Sequence, residues 1–548
     1  MKRWFDLLPA APAAYLATLF VACLAARLTY PFDLEWMEGG MLAHAWRLER
    51  GLPIYSPPDG TWIPYVYPPG FSALLASLPG GVDYVPGRLL SWAGSLAAAG
   101  AMVQIVWRQG RSWALGLVFA ALFWGTFRTS GGFLDLVRPD ALAIGLGAWA
   151  LALSVDGRKG TEVAGGLLLC AAFLVKHNLA VFGVPLALGL WGWRGWRTAL
   201  RFGLSSAVPA LLFLGYLQWR SGGGLLTYIV SVPGSHPLVM QRFAPGTQNE
   251  LGHWLGFALN AGALGLVAAA PRRFTAVHPA VAWGAAAVVG AGAAWWGVSQ
   301  GTVPGAARAH WLVTALTFFS LGGLVASAVV AAMAGAVERK VDGEWWTGAG
   351  VLLLGVALGS WMRAHNGGFI NVLIPVHWVI LALAGIVLGQ LRHHFDHVAT
   401  WALTALVAAG QALWLVHLTD FTKVTPTQAD IDGGMAVVET VREHCSDGPV
   451  FSPYASWMPV LIGQDPSLHL IALWDIDHKE GPLYADVKRV REAIARKDYV
   501  CVVEFGRKPF GYGVPKHYRQ QTLLKGKPNV LRPKTGWSVR PRALMVPK

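Results

Sequence analysis

Long apolar runs separated by short polar loops dominate the first 419 residues of the chain. Runs of about 20 apolar residues are long enough to cross a bilayer as helices. The first run is too long for a typical signal-peptide core, so we expect it to be retained as a span. The pattern predicts about 13 spans, at 7–28, 88–107, 112–128, 139–155, 162–175, 178–192, 201–219, 251–270, 280–298, 311–334, 347–362, 369–390 and 398–418.

The charges of the short loops predict how these spans are oriented. With a cytoplasmic N-terminus, every basic cluster of a short loop falls on the inner side, as the positive-inside rule expects. The inner clusters lie at 108–111, 158–159, 194–201, 272–273, 339–340 and 392. The outer side then receives the first loop, 29–87, and a C-terminal tail from 420 onwards. We therefore expect a transmembrane domain over 1–419 and an extracytoplasmic domain over 420–548.

The tail has a different pattern from the spans. Helices are predicted at 432–444 and 484–497, and short strands at 449–452 and 499–504, with the last 30 residues as loop. Strands that alternate with helices favour a small α/β domain. The expected fold is therefore mainly α: a polytopic membrane helix bundle with a small C-terminal extracytoplasmic α/β domain. Cys445 and Cys501 could pair if the tail is extracytoplasmic.

Composition supports a membrane protein and gives the positive charge a simple origin. Only 14% of the 548 residues are charged and 54% are hydrophobic, whereas a soluble protein is about one quarter charged. The net charge of +14 would suggest nucleic acid in a soluble protein. Here short cytoplasmic loops collect Lys and Arg, so we expect membrane lipid and no nucleic acid as a partner.

Acidic residues in the first loop follow directly after the first span. On a helical wheel over 34–50, an apolar stripe forms, with Glu35 on the opposite side and Glu38 at the boundary; the stripe contains Leu34, Met37, Met41, Ala45 and Leu48. This pattern predicts an amphipathic helix that lies on the membrane surface. The acids could be simply its solvated face, and Asp33 could be its N-cap.

Other ionisable groups stand at the outer ends of spans. Ionisable groups at membrane depth are costly and often mark sites. The ionisable residues here are Arg138, Asp140, Lys176, His177 and Arg363, and the polar Asn366 and its neighbours accompany Arg363. Structural readings stay open for them: an ion pair for Arg138 with Asp140, snorkelling for Lys176 and a turn at Asn366. His236 and Arg242 are expected to be solvated.

These residue types suit glycosyl transfer from a lipid-phosphate sugar. The acceptor must lose a proton, which calls for a carboxylate base. The leaving phosphate needs cationic donors, and the sugar carbon passes through an oxocarbenium-like state. The first-loop acids together with Arg138, Lys176 and Arg363 supply both charge types. No metal-ligand spacing is visible, but the acids could hold a divalent cation such as Mg²⁺ or Mn²⁺.

The chain resembles the lipid-dependent membrane glycosyltransferases of the GT-C class, especially the glycosyltransferase family 39 type. That type includes protein mannosyltransferases and the lipid A aminoarabinose transferase. The resemblance lies in EWMEGGMLAHAWRLERG…YVYPPGFSALLA, LVRPDALAIGLGAWAL and LCAAFLVKHNLAVFGVPLAL. The family's adjacent Asp-Glu pair is spread over Asp33, Glu35 and Glu38 here. Tyr67 stands where some members have Lys beside Pro-Pro.

The resemblance implies a polyprenyl-phosphate-linked sugar donor and a glycan, lipid or protein acceptor. It also implies a bacterial cell inner membrane as the location. By carry-over, Glu35 or Glu38 is the base or a metal-organising carboxylate, ahead of Asp33. Arg138 and Asp140 shape the site, and Lys176 meets the lipid phosphate, with His177, Tyr67, Arg363 and Asn366 as further substrate contacts. The alternatives are a multi-span transporter or lipid flippase without transferase activity, and a membrane scaffold whose tail binds a partner.

Overall fold

The computed structural model describes residues 2–242, 246–269, 361–445, 447–505, 510–524 and 531–548, together with 288, 291 and 359. The predicted spans at 280–298, 311–334 and 347–362 lie outside these residues apart from single positions. The same holds for the predicted inner clusters at 272–273 and 339–340. The number of spans therefore stays a prediction.

Helices make up most of the described part of the chain before residue 420. They are α1 Leu7–Leu28, α2 Glu38–Glu49, α3 Gly70–Ala76, α4 Tyr84–Gly110, α5 Trp113–Gly125, α6 Pro139–Ser154, α7 Thr161–Val175, α8 Gly183–Arg194, α9 Trp196–Arg220, α10 Gly224–Leu226, α11 Val232–Gly234, α12 Gly246–Ala269, α13 Ile374–His394 and α14 Val398–Leu418. A 3₁₀ helix, His177–Phe182, joins α7 to α8 where the sequence predicted a short turn.

Several of these helices can cross a membrane. Among the described residues, five are long and apolar enough: Trp4–Leu28, Tyr84–Gly110, Trp196–Arg220, Ile370–His393 and Val398–Leu418. Three shorter apolar helices, α5, α6 and α7, pack among them. The chain is thus a multi-pass membrane protein built mainly from helices.

The predicted inner loops meet at one end of the helix bundle. Lys2 pairs with Asp396 at 2.8 Å, and Arg392 pairs with Asp6. Arg108 pairs with Asp156 at 2.8 Å. The first loop and the tail contact each other at the other end. The side of the membrane that each end faces stays a prediction.

The first-loop helix is not the surface helix that the wheel predicted. α2 begins at Glu38, so Glu35 precedes it, and every residue from Glu38 to Ala45 is buried. Glu35 is 1% exposed and Glu38 is fully buried. The prediction of an exposed acidic face is wrong because buried arginines and the tail cover this face. Periodicity along one helix cannot report partners from distant parts of the chain.

The tail contains helices on a four-stranded sheet. Its helices are α15 Gln428–Cys445, α16 Leu470–Ile476, α17 Val487–Arg496 and α18 Val514–His517, and its strands are β1 Val450–Phe451, β2 Cys501–Phe505, β3 Tyr518–Leu523 and β4 Pro541–Pro547. The strand order is β1-β2-β4-β3, with β1 parallel to β2 and the other pairs antiparallel. The prediction that the last 30 residues are loop is wrong. β4 lies between β2 and β3, and its short apolar stretch is flanked by Pro and Arg that hide the strand pattern.

A disulfide joins the tail's first helix to its sheet. Cys445, at the end of α15, is bonded to Cys501, at the start of β2. Cys23 and Cys170 are free and buried in membrane helices. Disulfides persist in oxidising compartments, so this pairing favours an extracytoplasmic tail.

Thiol counting tests this pairing. Protein purified without reductant and denatured should show two reactive thiols, from Cys23 and Cys170, and four after reduction. The Cys445→Ser variant should show three without reductant, because Cys501 loses its partner. Four thiols in unreduced wild type would contradict the disulfide.

Candidate functional site

A buried ion pair holds the first loop against the bundle. Both oxygens of Glu38 accept from the Arg88 guanidinium, at 3.2 and 3.0 Å. Each oxygen also accepts one backbone N–H, from Leu34 at 2.5 Å and from Val137 at 2.8 Å. Glu38 is therefore fully occupied, which suits an anchor better than a base.

Arg88 also binds the backbone at the point where the chain leaves the first span. Arg88 donates to the carbonyl oxygens of Arg27 at 3.0 Å, Tyr30 at 2.5 Å and Phe32 at 2.8 Å. These carbonyls lie at or beyond the end of α1, where the regular hydrogen bonds of the helix stop. Arg88 thus fixes the path by which the loop reaches Glu35.

A second buried pair fixes the segment before α6. Arg27 binds both carboxylate oxygens of Asp135, at 2.6 and 2.9 Å. It also donates to the Val424 carbonyl at 2.8 Å. The end of the first span, the loop before Arg138 and the start of the tail are therefore joined at one point.

Glu35 faces Arg138, which also contacts the loop's aromatic end. Arg138 Nη1 lies 3.4 Å from Glu35 Oε2, and Arg138 Nη2 donates to the Tyr67 hydroxyl at 3.0 Å. Burial raises the pKa of Glu35 to about 7, although Arg138 opposes this rise. A carboxylate with a pKa near neutrality can exchange protons at physiological pH.

Asp140, in the first turn of α6, connects the network to the end of α7 and to the segment just before α13. Its Oδ1 accepts from Lys176 Nζ and from Asn371 Nδ2, the latter at 2.7 Å. Its Oδ2 lies 4.0 Å from Arg138 Nε. Glu35, Arg138, Asp140 and Lys176 thus form a chain of alternating charge, which we call the charged relay, and all four are at most 6% exposed.

The charged relay keeps unused hydrogen-bonding groups. Arg138 Nε and Nη1 and Asp140 Oδ2 are buried without a hydrogen-bond partner among the described residues, as are His177 Nδ1 and Asn178 Oδ1 beside Lys176. Buried polar groups are nearly always hydrogen-bonded, and an exception calls for an explanation such as an unseen ligand. Two guanidinium nitrogens that make no hydrogen bond, although they lie in ion-pair range of Glu35 and Asp140, suit an anion when they stand beside a lysine.

Asp33 is not the N-cap residue of α2, which is Met37, but its side chain caps the first turn of that helix. Its Oδ1 accepts from the Gly39 N–H, in the first turn of α2, at 2.8 Å and from the Tyr84 hydroxyl at 2.9 Å. Burial and the neighbouring Glu38 raise the pKa of Asp33 well above its usual value. Asp33 therefore supports the loop rather than facing the charged relay.

The end of the tail covers Glu35. The backbone N–H groups of Lys534 and Thr535 donate to the Leu34 carbonyl at 2.8 and 3.1 Å. Gly536 has φ +75°, and a Cβ there would lie 2.6 Å from Glu35 Oε1. Glycine is required because it adopts this conformation and leaves room for the carboxylate.

Of the remaining predicted site residues, some lie beside the charged relay and others lie in separate contacts. His177 lies beside Lys176 at the edge of the charged relay. Arg363 pairs instead with Glu250 at 3.2 Å and donates to the Gly368 carbonyl at 2.8 Å. Asn366 is exposed, and its carbonyl accepts from Arg242 at 3.1 Å. The structure therefore does not show Arg363 and Asn366 in contact with the charged relay.

Sequence reasoning missed Arg88, and it gave Asn371 no role at a site. Arg88 is a lone arginine at the start of an apolar run. The free-energy cost of a charge at membrane depth could alone have identified it. Asn371 stands next to an apolar run and carried no distinctive signal. His236 was expected to be solvated, but it is 8% exposed and its Nε2 lies 2.8 Å from the Asp475 carbonyl.

The part of the chain that the structure describes contains no ready metal-binding site. There, no group of three or more His, Cys, Asp or Glu side chains is arranged to hold a metal ion. The first-loop acids are separated by their own arginine and backbone partners. A divalent cation at these acids stays a prediction.

Replacing Glu38 tests its role as an anchor. Glu38→Gln should lower the melting temperature strongly, because the amide leaves the Arg88 guanidinium buried without a counter-charge. Breaking a buried pair in this way costs about 3–5 kcal/mol. The measurement is thermal unfolding in detergent, with Glu439→Gln as control, since Glu439 is 54% exposed in its pair with Arg442. Equal melting temperatures for the two variants would contradict the anchor role.

Comparison with known proteins gives structural neighbours only. No protein-family model matches the chain, and no curated protein matches it. The chain is similar to ArnT from Cupriavidus metallidurans bound to undecaprenyl phosphate, with 14% identity, 100% of this chain and 98% of that chain covered, and a TM-score of 0.44. For the apo structure of that protein the identity is 14%, the coverage is 98% of each chain and the TM-score is 0.42. At this identity and at TM-scores below 0.5, the similarity assigns neither family membership nor activity to the chain.

Proposed function

We propose that this protein is a membrane glycosyltransferase that uses a polyprenyl-phosphate-linked sugar as donor. The observation that carries the proposal is the charged relay with its unpartnered guanidinium donors. A structural ion pair is expected to satisfy its own hydrogen bonds, as Arg88 with Glu38 does. Arg138 and Asp140 instead retain unused capacity at the outer ends of apolar helices, where a lipid-linked anion would arrive.

Arg138 and Lys176 are the proposed contacts of the donor phosphate. Arg138 Nε and Nη1 have no hydrogen-bond partner among the described residues, and Lys176 is held beside them by Asp140. A planar guanidinium can give two parallel hydrogen bonds to a phosphate, and an ammonium adds a point charge. The Tyr67 hydroxyl contacts Arg138, and His177 follows Lys176 directly in the chain.

Glu35 is the proposed working carboxylate of the first loop. Of the three acids, Glu38 is fully occupied and Asp33 caps α2. Glu35 contacts the phosphate-binding arginine, and its pKa of about 7 allows it to change charge near neutral pH. It can therefore balance Arg138 in one step and accept a proton in the next.

The proposed reaction moves the sugar from the phosphate oxygen of the donor to an oxygen of the acceptor. The bond between the sugar's anomeric carbon and the phosphate oxygen breaks, and the polyprenyl phosphate leaves with the electron pair. The acceptor oxygen forms the new bond to that carbon and loses its proton to a carboxylate. Arg138 and Lys176 stabilise the charge that develops on the leaving phosphate.

The site belongs to the end of the bundle that carries the tail. We propose that this end is extracytoplasmic, in the inner membrane of a bacterial cell, because the disulfide needs an oxidising compartment and the basic loops gather at the other end. The donor's lipid would then remain in the bilayer while the acceptor arrives from outside.

Reconstitution tests the proposal. Wild-type protein in liposomes is offered radiolabelled undecaprenyl-phosphate-linked hexoses and pentoses, and sugar passed to cell-envelope acceptors or water is measured. Wild type should release sugar from at least one donor, and Glu35→Gln should lower kcat by about 100-fold or more, as for loss of a general base. Release from no donor by wild type would overturn the function.

The pH profile and a control separate a chemical role of Glu35 from a structural one. Wild-type kcat/KM should fall as the pH drops below about 7, since protonation removes the carboxylate that faces Arg138, Glu38 and Asp140. This fall in kcat/KM at low pH should be absent in Glu35→Gln. Glu439→Gln should match wild type throughout. If Glu35→Gln showed the same fall in kcat/KM at low pH, Glu35 would be excluded as the group that causes it.

A further inference from the structure

Three tryptophan rings form a cluster where the tail meets the first loop. Trp36 belongs to the first loop, Trp474 lies in α16, and Trp537 lies near the end of the tail. The ring centre of Trp537 is 5.2 Å from that of Trp36 and 5.1 Å from that of Trp474. The rings of Trp36 and Trp474 are 6.2 Å apart. We call these three residues the tryptophan cluster.

The two rings that the tail contributes are open to solvent. Trp474 is 38% exposed and Trp537 is 44% exposed, whereas Trp36 beneath them is 6% exposed. The third tryptophan of the tail, Trp457, is buried. The two exposed indoles therefore lie side by side instead of being scattered over the tail. Contiguous exposed apolar surface often marks a binding site.

The tryptophan cluster adjoins the segment that covers Glu35. Thr535 forms a parallel β-bridge with Glu35. A Cβ at Gly536 would lie 2.6 Å from Glu35 Oε1 and 3.0 Å from Trp36 Cδ1. Trp537 is the next residue, so a single glycine separates the exposed indole from the proposed working carboxylate.

A series of ring contacts connects the same cluster with the charged relay. The ring of Trp36 lies 4.9 Å from that of His469, which lies 5.4 Å from that of Tyr65. The rings of Tyr65 and Tyr67 are 6.1 Å apart, and the Arg138 guanidinium lies 5.4 Å from the centre of the Tyr67 ring. The exposed tryptophans thus belong to the same packed assembly as the proposed phosphate-binding arginine.

Polar groups surround the exposed indoles. Asp475 follows Trp474, and 13% of its side chain is accessible. Ser538 follows Trp537, and both Ser538 and Arg532, which donates to its hydroxyl, are exposed. A wholly apolar ligand would remove water from these groups without replacing its hydrogen bonds, which costs free energy. A sugar ring offers an apolar C–H face to an indole and hydroxyl groups at its edge.

We infer that Trp474 and Trp537 bind a sugar ring of the acceptor by stacking. The inference rests on the proposed glycosyltransferase function and deepens it by naming a saccharide as the acceptor. The C–H face of the sugar packs on the indoles, and its hydroxyls hydrogen-bond to the polar groups around them. The acceptor is thereby held beside the segment that covers Glu35.

The test measures binding without any donor. Wild-type protein in nanodiscs is mixed with methyl glycosides of mannose, glucose, galactose and arabinose, and saturation-transfer NMR is recorded against empty nanodiscs. The ring C–H protons of at least one glycoside should receive magnetisation from the protein. Trp474→Ala and Trp537→Ala should each raise its Kd by about 10-fold, as for loss of an aromatic contact. In liposomes that turn over a donor, the acceptor KM should rise by the same factor.

Conservative variants separate stacking from folding. Trp537→Phe should bind nearly as well as wild type, because it keeps an aromatic ring. Trp474→Leu keeps an apolar side chain for packing but should lose affinity as the alanine variant does. Tyr484→Ala is the matched control, since Tyr484 is an exposed aromatic residue of the tail outside the tryptophan cluster, and its Kd should equal that of wild type.

Three results would overturn the inference: no saturation transfer to any glycoside, an unchanged Kd in both alanine variants, or wild-type affinity in Trp474→Leu. Protein labelled with 5-fluorotryptophan tests a lipid surface as the alternative occupant. Broadening of the Trp474 and Trp537 resonances by spin-labelled lipid headgroups, without a glycoside effect, would assign these rings to the membrane. Because no donor is present, these failures are distinct from failure of the glycosyltransferase proposal, which would show as no donor turnover by wild type in liposomes.

Discussion

The buried pair of Arg88 with Glu38 is the interaction on which the arrangement of the first loop depends. Both side chains are fully buried, and two buried charges are stable only when their hydrogen bonds are complete. Here they are complete, because Glu38 also accepts two backbone N–H groups and Arg88 donates to backbone carbonyls at and after the end of the first span. A loop that sequence alone would place on the membrane surface is thereby drawn into the protein.

The contrast between this pair and the charged relay supports the proposed division into an anchor and a ligand site. Around Glu38 every polar atom has a partner, whereas Arg138 and Asp140 keep buried atoms without one. A polar network in which every hydrogen bond is made gives a rigid structure. A network with unmade hydrogen bonds costs folding free energy, and a protein without a ligand there would be expected to lose such groups. The rigid pair therefore holds the incomplete network in place, and the tail covers it.

Sequence reasoning found the parts of the site that have local signals. Asp140 and Lys176 stood out as charges beside apolar runs, and the structure brings them together with Glu35 and Arg138. The sequence could not rank the first-loop acids, because their roles depend on Arg88 and Tyr84 from α4. The tail's contribution was also invisible, since Gly536 and Thr535 reach the loop only through tertiary packing.

The same limit explains the errors in the fold. The wheel over 34–50 correctly indicated a helix, but tertiary contacts decided which of its faces is buried. The last strand, β4, is defined by pairing with β2 and β3 on both sides, which no local pattern reports. Features set by periodicity or by the cost of a charge in an apolar run were predictable, and features set by long-range partners were not.

A structure of the protein with a bound polyprenyl phosphate would test the central claim most directly. The account predicts that the phosphate lies within hydrogen-bonding distance of Arg138 Nε or Nη1 and of Lys176 Nζ, with the lipid chain running along the apolar helices. Phosphate bound away from both side chains, with Arg138 and Asp140 in the same contacts as described above, would contradict it.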